Sequence, residues 1–264
     1  MNKKTSLKIL LKVLKTLLII SVWLFIWQAL VWIIDLPLLF PSPVDVLLRL
    51  WKLLGGKDFY ILSLSSFGRI LLGILIATVA GTIMALFCSF SKIVYDFFVP
   101  IISVIKSTPI VAFVFLVNIF IGNEKTVVVI SALMVFPIVF ANVYQGIKST
   151  NKELLELCKV YRIPFVKKLK VLYLPTVVPY FISALLSAIG LAWKAGIAAE
   201  VLCTPKISIG IEIFKSKQYL EYIDLFAWTV TVVILSLIFE FAITKLLNVV
   251  SKKYFLISED SNED

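Results

Sequence analysis

The sequence predicts an all-α, polytopic transmembrane helical bundle of about six spans. Three observations predict it. Of 264 residues, 61% are hydrophobic and only 16% charged, whereas a soluble domain carries about 45–50% apolar and about 25% charged residues. The mean hydropathy is +1.03. The apolar residues also gather into six stretches, each long enough to cross a bilayer as a helix of about 20 residues.

The first span covers roughly residues 16–36, behind the basic start "MNKKTSLKILLKVLK". A signal peptide would have an apolar run of about 7–15 residues and then a small-x-small cleavage site. This run is longer and no such site follows it, so it reads as a retained membrane helix. Next comes "PSPVDVLLRLWKLL". Ser42 suits a helix cap and Pro43 a first helical turn. Val46, Leu47, Leu50, Trp51 and Leu54 then recur at helical spacing, which predicts a short helix lying along the outer membrane face. The second span is roughly 61–88 and the third roughly 94–121. Glu124–Lys125 separate the third from the fourth, roughly 126–147. The fifth is roughly 173–203 and the sixth roughly 223–250. The closing "SEDSNED" is acidic and is expected to be disordered. The chain thus divides into an N-terminal segment (1–15), a membrane domain (16–250) and an acidic tail (251–264).

Lysine and arginine set the orientation, because positively charged loops stay in the cytoplasm. With the N-terminus inside, sixteen of the 26 fall on inner segments, seven on outer segments and three within spans. Six spans then put both termini in the cytoplasm of a cell-membrane protein. The net charge of +10 follows from this topology and from contact with anionic lipid. It does not call for a nucleic-acid partner.

Several classes of chemistry are excluded. Histidine is absent, which removes a Ser-His-Asp triad, a Cys-His pair and any histidine metal site. Cys88, Cys158 and Cys203 are far apart and have neither metal-ligand nor disulfide-framework spacing. Neither a GxxxxGK[ST] nor a GxGxxG phosphate loop occurs. The reading is a non-enzyme without cofactor, metal or catalytic residue, which does not bind ATP itself.

One stretch interrupts the apolar pattern: "KELLELCKVYRIPFVKKLKVLYLP", Lys152 to Pro175. Leu154, Leu157, Cys158 and Tyr161 share a helical face. Pro164 disfavours helix at Ile163, which ends the first helix there, and proline is well placed to start another. Phe165, Leu169 and Leu172 continue at i, i+4 and i+7, and Pro175 is expected to mark the next break. Two readings stand. A connector would lay its lysine stems on lipid with their charged heads in water. A docking element would have its pair of short helices ordered by a cytoplasmic protein, and the stretch far exceeds the 2–8 residues a plain connector needs.

The stretch resembles the cytoplasmic loop of binding-protein-dependent ABC transporter permeases. That loop typically reads Glu-Ala-Ala-x-x-x-Gly and ends in Leu-Pro. Glu156-Leu157-Cys158 falls on Glu-Ala-Ala, Arg162 on Gly and Leu174-Pro175 on Leu-Pro. With arginine in place of glycine, the tight turn after the first helix is expected at Ile163-Pro164. The resemblance extends over roughly residues 38–250. "LLFPSPVDVL", "SLSSFGRILLGILIATVAG", "KSTPIVAFVFLVNIFIG", "FPIVFANVYQGI" and "LPTVVPYFISALLSAIGLAWKAGIAAEVL" are similar, in order, to segments of the nitrate/sulfonate/taurine branch.

The resemblance implies a type I importer fold and a division of labour. A pair of separate ATPase subunits would grip the coupling loop, residues 148–172, through Glu156, Leu157, Cys158, Arg162, Pro164, Leu174 and Pro175. An extracytoplasmic binding protein would deliver a small solute, an anion such as a sulfonate, taurine or nitrate. A second copy of the chain would complete the pathway as a homodimer. The alternative class is a stand-alone secondary carrier or channel, whose uptake would not need an ATPase.

Charges within spans are the remaining signal, because each costs about 2.5–3.5 kcal/mol at mid-span on insertion scales. Lys106, Lys194 and Glu200 are the candidate pathway residues. Lys106 precedes Ser107-Thr108-Pro109, which is expected to break the third span. Lys194 and Glu200 are six residues apart and do not share a helical face. Two readings stay open: lysines that make the pathway attractive to an anion, or structural pairing such as Lys194 with Glu200 of another copy. Arg69 is expected to snorkel toward the outer end. Trp23, Trp51, Tyr60 and Tyr254 are expected to anchor at the interface.

Overall fold

The structure, a computed structural model, describes residues 3–36 and 38–260, and side chains for 11, 14–36 and 38–247. All regular elements among the described residues are helices: α1 (Lys3–Ile34), α2 (Pro43–Leu54), α3 (Lys57–Phe90), α4 (Lys92–Ser107), α5 (Ile110–Ile121), α6 (Asn123–Lys148), α7 (Lys152–Val160), α8 (Phe165–Lys168), a π-helical segment (Leu169–Tyr173), α9 (Leu174–Cys203), α10 (Ile209–Gln218) and α11 (Tyr222–Asp260). Five spans are long and apolar enough to cross a membrane, and the bent pair α4–α5 makes a sixth if it counts as one span. Residues 261–264 of the acidic tail lie outside the described residues, as does the Tyr254 side chain, whereas 251–260 continue α11 beyond the predicted end of the sixth span.

Two compact units make up the chain. The first comprises Met1–Tyr60 and Glu212–Thr231. Here α2 forms where Ser42 and Pro43 predict it, and the Ser42 hydroxyl accepts from the Asp45 N–H as an N-cap. Pro43 and Val46 turn inward, while Val44, Leu47, Leu48 and Trp51 stay exposed. The outward stripe is therefore rotated from the predicted one, because Val46 is taken into the core. Arg49 is held bidentately by Asp224, one bond measuring 2.7 Å, and that bond raises the guanidinium pKa above its ordinary value. Phe226 meets Trp27 and Phe40 at ring-centroid distances of 6.0 and 5.6 Å.

The second unit comprises Ile61–Ile211 and Val232–Asp264. Helices α6 and α9 form its centre. Ala184, Ala188, Ala192, Ala195 and Ala199 recur along α9 and are buried. In lipid there is no hydrophobic drive between helices, so small residues that let backbones approach closely gain stability from van der Waals packing. The same logic fixes Gly73 on α3, where a Cβ would sit 2.5 Å from the Val128 carbonyl oxygen of α6. Trp193 is buried and donates its indole N–H to the Val232 carbonyl over 3.1 Å.

Two breaks decide the topology. Helices α4 and α5 meet at 106°. Thr108 ends α4 in extended conformation, as a residue before proline prefers, and Pro109 opens α5. The predicted third span is thus two helices, divided where Ser107-Thr108-Pro109 was expected to break it. Pro175 does the opposite of what it predicts. Helix runs from Phe165 to Cys203 without a stop. Pro175 has no N–H, and its ring would press on the carbonyl one turn earlier. The wider π turn just before it absorbs that conflict, with the Leu174 N–H reaching the Leu169 carbonyl.

Candidate functional site

The stretch between α6 and α9 folds as the predicted helix–turn–helix. Asn151 caps α7, its side chain accepting from the N–H groups of Glu153 and Leu154. The turn itself corrects the sequence reading. It is made at Arg162, with φ of +51°, and not at Ile163-Pro164. The Ile163 N–H bonds back to the Cys158 carbonyl over 3.0 Å and the Arg162 N–H to the Lys159 carbonyl over 3.1 Å. These two bonds are the Schellman ending that glycine usually supplies. Arginine takes the left-handed position there, at a cost of about 1–2 kcal/mol relative to right-handed backbone.

Nothing among the described residues covers this turn. Glu156, Leu154, Leu157, Val160, Phe165 and Val166 are exposed, and Tyr161 is 74% exposed. Cys158 is half-buried; Arg162, Pro164, Leu174 and Pro175 are exposed. At its root the element is firmly tied. Lys148 donates to the Ser89 carbonyl at the end of α3 and lies 5.6 Å above the Tyr144 ring. The Tyr180 hydroxyl of α9 donates to Ser149 over 3.1 Å. A Cβ on Gly146 would meet the Tyr180 ring at 3.1–3.2 Å, so the two helices touch at that point.

The intramembrane charges separate into two kinds. Glu200 has no exposed surface. Its carboxylate accepts from Ser66 Oγ at 2.7 Å, Arg69 Nη1 at 3.0 Å and the Gly210 N–H at 3.2 Å. Ser66 Oγ also accepts from the Ile209 N–H over 2.9 Å. Glu200 and Ser66 together satisfy the first N–H groups of α10, where negative charge is favoured. Gly210 permits the close approach, since a Cβ there would lie 2.3 Å from Glu200 Cβ. Arg69 completes the cluster. Its guanidinium side chain, 14% exposed, also binds the Ile207 carbonyl over 2.8 Å and the Glu124 carboxylate. Arg69 is therefore a buried ion-pair partner and not a snorkelling residue. In this structure Glu200 is enclosed by Ser66, Arg69 and the start of α10.

Lys106 and Lys194 are exposed and form no ion pair with the described residues. The structure does not bring them together with Glu200. The Arg69–Glu200–Gly210 cluster was missed from sequence, although two opposite charges in separate spans and a glycine opening a helix were there to prompt it. No group of three or more potential metal ligands occurs among the described residues.

The family model of the binding-protein-dependent transport system inner membrane component matches residues 70–254. The chain belongs to that family. This permease is 28% identical over 240 residues to a "Probable ABC transporter permease protein" of Haemophilus influenzae, across 90% of this chain and 97% of the relative. It is 29% identical over 202 residues to the nitrate import permease protein NrtB of Synechocystis, across 72% of each chain. It is 23% identical over 216 residues to the taurine transport system permease protein TauC of Escherichia coli, across 80% of this chain and 78% of that one. The protein is accordingly an ABC transporter permease, a membrane protein of a non-catalytic family, and its all-helical architecture agrees with the type I permease fold.

Proposed function

We propose that this permease is the membrane-spanning subunit of an ATP-driven importer for a small anion, and that α7–α8, within residues 148–172, is its coupling element for a separate ATPase. The observation that carries this reading is the exposed, kinked pair of short helices. It is ordered by Asn151 and by the Arg162 turn, rooted in α6 and α9, and left uncovered by the described residues. Leu154, Leu157 and Tyr161 offer an apolar face to a protein groove, with Glu156 beside them. ATP hydrolysis belongs to the ATPase pair. An extracytoplasmic binding protein delivers the solute to the opposite side. The substrate class is supported by relatives named for nitrate and taurine.

Charge supports the orientation. The N-terminal lysines and the seven basic residues of 148–170 both favour the cytoplasm. That requires an even number of crossings between them, so the bent pair α4–α5 crosses the membrane once and both termini lie in the cytoplasm. The 251–264 tail then faces the ATPase side. One set of spans forms one wall of a pathway, and a second copy related by a twofold axis is the simplest way to supply the other. Lys106, beside the α4–α5 bend, and Lys194 are its pathway residues.

Reconstitution in vesicles with the ATPase and the binding protein tests the reading. ATP hydrolysis should rise when loaded binding protein is added, and Glu156→Lys should abolish both ATPase capture and uptake while insertion is unchanged. Uptake that persists without the ATPase would instead establish a stand-alone carrier or channel.

A further inference from the structure

We infer that one face of α9 lines the anion pathway and that Lys194 is its charge-selecting residue. The inference rests on the permease reading above and adds the wall, the residue and the sign of the charge.

The exposed positions from the middle of α9 onward are Ser183, Ser187, Leu191, Lys194, Ala198 and Leu202. Steps of three and four place them on a single stripe. Almost everything between them is buried, including Ile182, Ile189, Trp193 and Ile197. A face turned to lipid looks different. On the middle of α3 the exposed positions include Leu72, Leu75, Ile76 and Val79. The α9 stripe instead presents two hydroxyls and a primary ammonium. Lys194 lies nine residues before the end of α9, about 13 Å at 1.5 Å per residue. An ammonium facing acyl chains at such depth would be costly, so it faces water or a partner.

Among the described residues no carboxylate forms an ion pair with Lys194. The acidic group nearest in sequence on α9 is Glu200, and it is engaged by Arg69, Ser66 and the start of α10, with no surface left to meet a second cation. Arg69 is in turn neutralised by Glu200 and Glu124. Lys194 is thus an unneutralised positive charge on a hydroxyl-bearing wall. The ligand complementary to that wall is a small, hydrogen-bond-accepting anion such as an oxyanion or sulfonate. Lys194 attracts it, and the Ser183 hydroxyl, joined by that of Ser187 once it turns from the Ser183 carbonyl to which it donates over 2.9 Å, replaces part of its water shell.

Site-resolved thiol labelling tests this in the full chain, reconstituted in vesicles with its ATPase. A Ser187→Cys variant is exposed to an anionic reagent, sulfonatoethyl methanethiosulfonate, and to a cationic one, trimethylammonioethyl methanethiosulfonate. Adducts at residue 187 are read by peptide mass, with rates normalised to those on glutathione. One turn-pair separates residue 187 from Lys194, about 10 Å, over which a unit charge in a partly aqueous channel should favour the anionic reagent by about tenfold. Adding Lys194→Gln should bring the ratio near one, and adding Lys194→Arg should restore it. Equal rates for both reagents, or a preference that survives Lys194→Gln, would overturn the assignment. So would the absence of any adduct with and without ATP, which would show the face sealed by lipid or by a second copy. Labelling does not depend on ATPase docking, so a failure here is distinct from a failure of the coupling reading.

Discussion

Arg69→Gln is the sharpest perturbation the structure offers. It removes the cation from Glu200, which has no exposed surface, and from Glu124, whose side chain is 52% exposed. The exposed partner matters little, because a surface ion pair is worth about 0–1 kcal/mol. Glu200 decides the outcome. A buried carboxylate stripped of its partner costs about 3–5 kcal/mol. The Ser66 hydroxyl and Gly210 N–H remain and place the effect toward the lower end. At about 2–4 °C per kcal/mol for a chain of this size, the melting temperature in detergent should fall by about 10 °C. Fluorescence-detected size-exclusion after heating would measure it. Glu124→Gln should shift it by no more than about 3 °C on the same scale. A double variant, Arg69→Gln with Glu200→Gln, should recover part of the loss, because the orphaned charge is gone. If Arg69→Gln melts within about 2 °C of the parent, the cluster is not a buried ion pair and the reasoning fails.

Other outcomes follow from the same geometry. At the α7 turn, hydrogen exchange of the Ile163 amide should be slowest with Arg162→Gly, intermediate in the parent and fastest with Arg162→Val, since a β-branched residue tolerates the left-handed region least. An unchanged order would remove the Schellman assignment. Gly73→Ala should cost about 1–3 kcal/mol through overpacking of α3 on α6, read as a lowered melting temperature. Tyr180→Phe deletes the hydroxyl that ties α9 to Ser149. Solute moved per ATP should fall severalfold in vesicles while melting changes by only about 1 kcal/mol, the usual worth of one hydrogen bond. Equal coupling ratios in parent and variant would make the tie purely structural.

The sequence makes some of this legible and not the rest, for reasons that differ by residue. Ser42-Pro43 and Asn151 act within one turn, so the starts of α2 and α7 can be read locally. Thr108-Pro109 breaks the third span for the same local reason, although the angle of 106° depends on packing. Pro175 misleads because a single π turn, invisible to propensity, reconciles proline with continuous helix. Arg162 misleads in the other direction. Two backbone bonds hold a residue in a conformation its side chain disfavours. The Arg69–Glu200 pair joins positions 131 apart in sequence, and nothing local distinguishes it from two separate snorkelling charges.

The uninterrupted helix from Phe165 to Cys203 has a mechanical meaning. Phe165 and Lys194 are 29 residues apart along it, about 43 Å at 1.5 Å per residue. A displacement delivered at Phe165 meets two joints on the way, the π turn at Leu169–Tyr173 and Pro179 inside α9. The π segment is a place where the helix can be rewound by a residue. Torque arriving there would turn the face that carries Lys194 without unfolding anything.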